Sequence, residues 1–247
     1  MQNERVTGEI MATSEERSIS HYTGESGDAY HSAVHGQVLQ SPAVHRAKAD
    51  LARYRYFRNL PAHTRIFEFG VGAGFNLSRL DVEEVAGFDV SEIARDISRS
   101  HGITIYDSMD AVPDAHFDVV VCRHVLEHVP APVEVLVGLR QKVRDDGKLL
   151  LILPVEHGRR HQRRIDPHDV NRHLYCWRLQ HAANLLAISG FEVIEWRYEW
   201  YSMQRLLRWI PRLLGAKTYH VVVMLAGMLR RQSELVIWAT PQAGSSA

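Results

Sequence analysis

Short apolar runs alternate with amphipathic stretches along most of the chain, at the two periods typical of strands and helices. The clearest run, Phe117–Cys122, is continuous and rich in β-branched residues, as expected of a strand buried on both faces. We predict strands at Arg65–Phe69, Val85–Asp89, Ile103–Tyr106, Phe117–Cys122, Lys148–Leu153, Phe191–Tyr198 and Glu234–Thr240. We predict helices at Ala43–Asn59, after Gly74, after Ser91, at Pro132–Val143 and at Leu179–Ser189, with a turn at 145–147. This alternation predicts an α/β fold with a doubly wound, Rossmann-like, mostly parallel sheet that binds ligands at the carboxyl ends of its strands.

The same pattern divides the chain into four segments: an N-terminal arm and helix (1–59), the sheet-forming core (60–200), a helical insertion (201–233), and a last strand with a tail (234–247). Within the insertion, leucines and Trp209 alternate with arginines, which predicts a short basic amphipathic helix disturbed by Pro211. We favour a lid or a homodimer contact for this segment. A weak contact of 202–214 with an anionic membrane surface is the alternative.

Composition limits the classes of partner. The 247 residues suit one α/β domain with additions, and 45% hydrophobic with 23% charged residues are ordinary values for a globular protein. The formal net charge is zero, so we predict no nucleic-acid partner. The two cysteines lie far apart and no signal-like segment opens the sequence, which predicts a cytoplasmic protein. The longest apolar run, Val221–Leu229, is too short to span a membrane.

A glycine-rich turn after the first predicted strand is the main chemical signal. Gly70, Gly72 and Gly74 stand at alternate positions, and Glu68 stands just before them. Glycine tolerates positive φ and lets a ligand approach the backbone closely. Asp89 ends the next strand about 20 residues after the first glycine, the spacing of a carboxylate that binds ribose. Together these residues predict a nucleoside-cofactor site, whereas a tight turn without a ligand is the less favoured interpretation.

The spacing of the glycines favours one cofactor. Dinucleotide-binding turns follow the pattern G-x-G-x-x-G, in which a helix N-terminus meets a pyrophosphate. Here the pattern is E-x-G-x-G-x-G, with an acid before the turn. Carboxylates suit a ligand that has an ammonium group and a ribose but no phosphate, and S-adenosylmethionine fits that description. An NAD or nucleotide-sugar enzyme is therefore disfavoured.

Four stretches carry a family resemblance: EFGVGAG at Glu68–Gly74, GFDVS at Gly87–Ser91, FDVVVCRHVLEHVPAP at Phe117–Pro132 and DDGKLLLILP at Asp145–Pro154. With these motifs the chain resembles class I S-adenosylmethionine-dependent methyltransferases over roughly residues 60–200. More narrowly, it is similar to the broad group that includes ubiquinone-pathway and glycan-cluster enzymes. The resemblance implies a seven-stranded sheet whose last strand, Glu234–Thr240, is antiparallel.

The resemblance also implies roles for particular residues. Glu68 and the glycine turn would hold the methionine part of S-adenosylmethionine, and Asp89 would accept hydrogen bonds from both ribose hydroxyls. Val90 would pack on the adenine, while Arg123 and His124 would face the sulfonium and the acceptor. Either Asp107 or Asp110 would supply the acid that the family often has near the adenine. The implied cofactor-binding residues are Glu68, Gly70, Gly72, Gly74, Asp89, Val90, Ser108, Met109 and Arg123.

Histidines supply the candidates for catalysis. His124, Glu127 and His128 form H-x-x-E-H at the start of a predicted helix, where these positions share one face and could bind an ion. In some similar quinone-pathway enzymes an acid stands where His124 stands here, and those residues bind a divalent cation. We favour a capping role for Glu127 and His128 and predict no metal. Downstream, His168 or His173 could be a general base, or His173 could hold the site closed by packing on neighbouring aromatic residues.

The sequence thus predicts an enzyme that transfers a methyl group from S-adenosylmethionine to a small-molecule or glycan acceptor, at oxygen. The candidate catalytic residues are His124, His168 and His173. The alternative is a non-catalytic protein that binds S-adenosylmethionine as a scaffold or regulator.

Overall fold

The computed structural model describes residues 41–155, 169, 171–204 and 206–243 of the chain. Within them lie seven strands: β1 (Arg65–Phe69), β2 (Glu84–Phe88), β3 (Thr104–Ile105), β4 (Phe117–Arg123), β5 (Val143–Val155), β6 (Phe191–Trp200) and β7 (Ser233–Pro241). The helices are α1 (Pro42–Ala52), α2 (Glu92–Ser100), α3 (Pro132–Lys142), α4 (Leu179–Ile188) and α5 (Ile210–Arg230). A π-helical segment, Arg53–Phe57, extends α1, and a short 3₁₀ turn covers Met109–Ala111.

The strands form one sheet in the order β3-β2-β1-β4-β5-β7-β6. β1 to β5 run parallel to one another, whereas β7 runs antiparallel to both β5 and β6. The sequence-based prediction of a doubly wound, mostly parallel sheet with an antiparallel last strand is confirmed. Parallel pairing brings the carboxyl ends of β1, β2 and β4 to one edge, which is where this architecture places its ligands.

Local sequence signals explain where the helices begin. Pro42 occupies the first turn of α1 directly after Ser41, where a missing N–H costs nothing. The hydroxyl of Ser91 accepts a hydrogen bond from the backbone N–H of Ala94 at 3.3 Å and so caps α2. Glu92 follows in the first turn, where a negative charge interacts favourably with the helix dipole.

Two apolar layers cover the sheet. On one face, α3 and α4 pack on residues such as Phe67, Val120 and Leu151. On the other face, the π-helical segment packs Tyr56 and Phe57 against Val121 and neighbouring strand residues. The central strands are therefore buried on both sides, as their continuous apolar runs require.

Two sequence-based predictions of local structure are wrong. The residues after Gly74 form irregular turns rather than a helix, and only Ser78 makes an α-type backbone hydrogen bond, to the Gly74 carbonyl at 3.0 Å. The predicted turn at 145–147 lies inside the extended strand β5. A Cβ on Gly147 would lie 3.0 Å from the carbonyl oxygens of Phe117 and Asp118, so this glycine allows close strand contact where β4 and β5 shift register.

The insertion also differs from its prediction. The predicted short amphipathic helix is helical only from Ile210 onward: residues 206–209 form turns, and α5 has Pro211 in its first turn and continues to Arg230. Gly215 interrupts it with φ 80° and ψ 166°, values outside the helical region. Tyr219 and Val223 are buried against Ala47 and Leu51, so the inner face of α5 completes a third apolar cluster on α1. In the described part of the chain, no helix is long and apolar enough to cross a membrane.

Candidate functional site

A cavity of about 1120 Å³ opens at the carboxyl ends of β1, β2 and β4. A single small-molecule pocket has roughly 300–1,000 Å³, so this cavity has room for a cofactor together with an acceptor. Of the predicted cofactor-binding residues, those lining it are Glu68, Gly70, Gly72, Asp89, Val90, Ser108, Met109 and Arg123. His124 and His173 line it too. Sequence reasoning identifies these residues, and the fold brings them to one place.

The glycine turn forms one wall of the cavity. Gly70, Gly72 and Gly74 all have positive φ, at 74°, 54° and 73°, which favours glycine at each position. A Cβ on Gly70 would lie 2.3 Å from the side chain of Val125, whereas a Cβ on Gly72 would meet nothing within 4 Å. A Cβ on Gly74 would lie 2.6 Å from Ile103, on the side of α2. Gly72 therefore leaves its cavity side open, while Gly70 and Gly74 allow close packing behind the turn.

Asp89 stands at the end of β2, and its carboxylate already organises the turn. One oxygen accepts from the N–H of Gly72 at 2.8 Å, and the other accepts from the N–H of Ser91 at 2.9 Å. Each carboxylate oxygen has two lone pairs, so a carboxylate can accept more than one hydrogen bond on each oxygen. A carboxylate fixed in this way suits a vicinal diol such as the hydroxyls of ribose.

Glu68 lies in β1, is almost fully buried, and faces the cavity. Asn76 donates a hydrogen bond to its Oε1, while Oε2 has no hydrogen-bond partner among the described residues. Burial raises the pKa of this carboxyl to about 8, partly opposed by the Asn76 hydrogen bond and by Arg123. A buried acid without a partner for one oxygen fits the ammonium group of S-adenosylmethionine, so the side chains present are suited to that cofactor.

The residues predicted to contact adenine lie at the other end of the cavity. Val90 is 38% exposed and lines the cavity, so it is available to a flat apolar ring. Ser108 caps the 3₁₀ turn by accepting from the N–H of Ala111 at 3.3 Å. Asp107 lines the cavity and Asp110 does not, so Asp107 is the better placed of the two candidate acids.

The prediction that H-x-x-E-H lies on a helix is wrong. Residues 124–128 form a bend and turns after β4, and His124 has φ 53°, in the left-handed region. The three side chains consequently do not share a helical face. Backbone strain of this kind in a non-glycine residue is common at functional sites. In this left-handed conformation, Nε2 of His124 lies 3.2 Å from Oε2 of Glu234.

Glu127 and His128 instead meet His173. Ligand atoms of these three residues lie within 4.8 Å of one another, and the rings of His128 and His173 have centroids 4.8 Å apart in an edge-on arrangement. The carbonyl of Glu127 accepts from the N–H of Leu174 at 2.7 Å, which ties the loop around His173 to the end of β4. Sequence reasoning placed His124, rather than His173, beside this pair.

Glu234 is the functional candidate that sequence reasoning missed. It lies at the start of β7, is fully buried, and forms ion pairs with Arg55 at 2.7 Å and Arg123 at 3.1 Å. Tyr56 donates a hydrogen bond to its Oε1. Burial alone would raise the pKa of Glu234, but the two arginines hold that pKa well below its usual range. The only signal in the sequence was an acid at the start of an otherwise apolar strand.

Arg123 connects this cluster to the cofactor side. One Nη donates to the side-chain oxygen of Asn76 at 3.1 Å and the other to Glu234. Its positive charge therefore faces a carboxylate, which reduces repulsion of a cationic ligand in the cavity. The remaining candidate, His168, lies outside the described residues.

Comparison with known sequences gives a family match. The profile of the methyltransferase domain family matches residues 43–196. The chain is 31% identical over 109 residues to the mitochondrial ubiquinone biosynthesis O-methyltransferase of Schizosaccharomyces pombe, covering 38% of this chain and 39% of that protein. It is 31% identical over 104 residues to the ubiquinone biosynthesis O-methyltransferase of Haemophilus ducreyi, covering 35% and 44%. The matched part is thus less than half the length of either relative.

Solved structures give a matching fold. A SAM-dependent methyltransferase from Thermotoga maritima superposes with a TM-score of 0.60 and 16% identity, over 86% of this chain and 98% of that chain. Phosphoethanolamine N-methyltransferase 2 of Haemonchus contortus, in complex with S-adenosyl-L-methionine, superposes with a TM-score of 0.52 and 17% identity, over 78% and 52%. Identities this low establish a shared fold and nothing finer.

Proposed function

Because the chain belongs to the methyltransferase domain family, with S-adenosylmethionine as its cofactor, we propose that it methylates a small-molecule or glycan acceptor at oxygen. One observation carries this function: a single cavity is lined by the buried Glu68 carboxyl, the open side of Gly72 and the Asp89 carboxylate. Oxygen as the methylated atom is supported by the names of the curated relatives, which are O-methyltransferases.

The sulfonium of S-adenosylmethionine supplies an already activated methyl group, so the protein mainly has to position the acceptor and exclude water. Alignment of this kind contributes several kcal/mol to lowering a barrier. Glu68 would bind the ammonium group, and Asp89 would accept from the ribose hydroxyls. The open side of Gly72 would allow the ligand to pass close to the backbone.

His124 is the best supported general base for an acceptor hydroxyl. Burial lowers the pKa of its imidazole, opposed by the interaction with Glu234, so the ring is neutral at pH 7. The tautomer with its proton on Nε2, which lies 3.2 Å from Oε2 of Glu234, would leave Nδ1 to accept a proton. During the transfer, Nδ1 would take up the proton that leaves the acceptor hydroxyl. A carboxylate that orients a histidine is a recurrent catalytic arrangement. His173 is the second candidate base in the same cavity.

Cofactor binding is tested by calorimetric titration with S-adenosylhomocysteine. Asp89→Asn should weaken binding about 10- to 100-fold, because hydrogen bonds to charged groups contribute roughly 1.5–3 kcal/mol. Asp110→Asn, which changes the same functional group outside the cavity lining, should leave the affinity unchanged. If the wild type bound NAD and not the sulfur nucleoside, the proposed function would be wrong.

Transfer is tested with methyl-labelled S-adenosylmethionine and a panel of catechols, phenolic acids and uronic-acid oligosaccharides. With an accepted substrate, His124→Asn should lower kcat about 10²- to 10⁴-fold with little change in KM. His181→Asn, on the exposed side of α4, is the matched control. Tight cofactor binding without transfer to any acceptor would favour the non-catalytic alternative.

A further inference from the structure

Exposed apolar and basic side chains are concentrated in the insertion. Its apolar members are each at least 40% exposed: Leu206, Trp209, Leu213, Leu214, Val221, Leu225, Met228 and Leu229. Its basic members are also exposed: Arg208, Arg212, Lys217, Arg230 and Arg231. We call these residues the insertion surface. So many exposed large apolar side chains in one segment mark an interaction site rather than scattered surface residues.

The fold itself does not need these apolar side chains. The inner face of α5 already packs Ile210, Tyr219 and Val223 against α1. The outer stripe of Val221, Leu225 and Leu229, spaced four residues apart, lies on the opposite side of the same helix. α5 is thus apolar on two faces, and only one of them is covered by the described part of the chain.

The net charge of the insertion indicates what kind of partner would cover the exposed face of α5. Residues 201–233 contain six Lys or Arg and no Asp or Glu, whereas the whole chain has zero net charge. The rest of the chain therefore carries a formal charge of −6, obtained as 0 − 6. Positive charge interspersed with exposed leucines and a tryptophan is the pattern of a helix that lies in a lipid headgroup region.

We propose that the insertion surface binds an anionic lipid surface, with the stretch of α5 after Gly215 lying parallel to it. A second copy of the chain fits less well, because a symmetric contact would bring two sets of basic side chains together. Nucleic acid fits less well too, because phosphate contacts need no exposed leucine stripe. The absence of a membrane-crossing helix among the described residues is consistent with a segment that lies on a bilayer.

Co-sedimentation of the full chain with lipid vesicles tests this. Vesicles that contain phosphatidylglycerol should bind the protein at low salt, and high salt should release most of it. Vesicles of phosphatidylcholine alone should bind the protein more weakly, by about tenfold or more, because each basic residue near an anionic surface contributes about fivefold. No binding to the phosphatidylglycerol vesicles would overturn the proposal.

Matched variants locate the contact. Arg208→Glu with Arg212→Glu should reduce binding about tenfold or more, and Leu225→Ser with Leu229→Ser should do the same. Lys148→Glu with Arg178→Glu, and Ile188→Ser with Ile194→Ser, make the same changes at exposed positions elsewhere and should have no effect. Titration with S-adenosylhomocysteine checks that every variant is folded. Equal losses in test and control pairs would contradict the proposal, as would a dimer in sedimentation velocity that only the Leu225 and Leu229 variant dissociates.

Discussion

Among single residues, Glu68 combines a position that the sequence predicts with an environment that it does not. Its place before the glycine turn indicated a cofactor-binding acid, whereas its burial and its hydrogen bond from Asn76 depend on the folded turn. With a pKa raised to about 8 by burial, the side chain is mostly protonated at pH 7. In its proposed role, in which the carboxylate binds the ammonium group of the cofactor, Glu68 has to lose this proton when the ligand arrives.

Ligand binding should therefore release protons from Glu68. At pH 7, S-adenosylhomocysteine should displace close to one more proton from the wild type than from Glu68→Gln, measured by calorimetry in buffers of different ionisation enthalpy. The variant should also bind about tenfold or more weakly, because it loses a hydrogen bond to a charged group.

Methylthioadenosine, which has no amino-acid end, provides the control for this release. It should displace the same number of protons from both proteins. Equal proton release by S-adenosylhomocysteine in the two proteins would show that the Glu68 carboxyl is already ionised.

The same residue affects stability without ligand. Below the unfolded-state pKa of about 4.5, the carboxyl is protonated in both the folded and the unfolded states, so its burial does not lower the stability of the folded state. As the pH rises from there to about 8, only the unfolded state releases the proton, and the folded state loses relative stability. Glu68 is thus suited to ligand binding at the expense of folding, as expected of a functional site.

The conformation at His124 differs from the one that the residue spacing predicts. The i, i+3, i+4 positions of His124, Glu127 and His128 predicted one helical face, but the left-handed φ at His124 reverses the chain before any helix can form. The spacing gave no sign of the contact between His124 and Glu234, because Glu234 lies 110 residues later in the chain. Contacts between distant segments are the part of a site that a motif cannot predict.

At the scale of elements, the sequence predicted the glycine positions of the turn between β1 and β2 but not the conformation of the residues after Gly74. Alternating glycines indicated a close approach of a ligand, and the three positive φ values agree with that. The expected helix is missing because the few residues between Gly74 and Leu80 form short-range turns instead. Strands were predicted to within a few residues because buried parallel strands have continuous apolar runs.

Two alanine substitutions should separate the roles of this turn. Gly70→Ala places a Cβ 2.3 Å from Val125, so it should destabilise the protein by about 1–3 kcal/mol beyond the cost of positive φ. Gly72→Ala meets no neighbour, so it should mainly weaken binding of S-adenosylhomocysteine. Urea unfolding and calorimetric titration measure the two effects.

A double variant provides the check on this interpretation. Gly70→Ala with Val125→Ala removes the contacting methyl groups and should recover part of the lost stability. If Gly72→Ala destabilised the protein as much as Gly70→Ala while binding the ligand normally, the distinction between the two glycines would be wrong.

Across the whole molecule, one polar network joins segments that lie far apart in the sequence. Glu234 in β7 pairs with Arg55 in the segment after α1 and with Arg123 at the end of β4. Arg123 continues to Asn76, and Asn76 to Glu68. The network fixes β7 and the first helical segment against the cavity, so the last strand contributes to the site although no sequence motif marks it.

This arrangement makes Glu234→Gln a strong test of the whole fold. Removing one partner of a buried ion pair leaves the other charges uncompensated, so the free energy of unfolding at pH 7 should fall by about 3–5 kcal/mol. Arg123 and Arg55 hold the pKa of Glu234 well below its usual value, against the effect of burial. The carboxylate therefore contributes its full stabilisation of the folded state above the unfolded-state pKa of about 4.5. This stabilisation is lost as the pH falls below that value, because the unfolded state then binds a proton that the ion-paired carboxylate of the folded state does not. The difference in the free energy of unfolding between wild type and variant, measured by urea unfolding, should therefore narrow from pH 7 towards pH 3.

Glu195→Gln provides the control. It removes an exposed ion pair with Arg197, so it should lower the free energy of unfolding by less than about 1 kcal/mol. A similar small loss in both variants would mean that the network around Glu234 does not hold β7 in place.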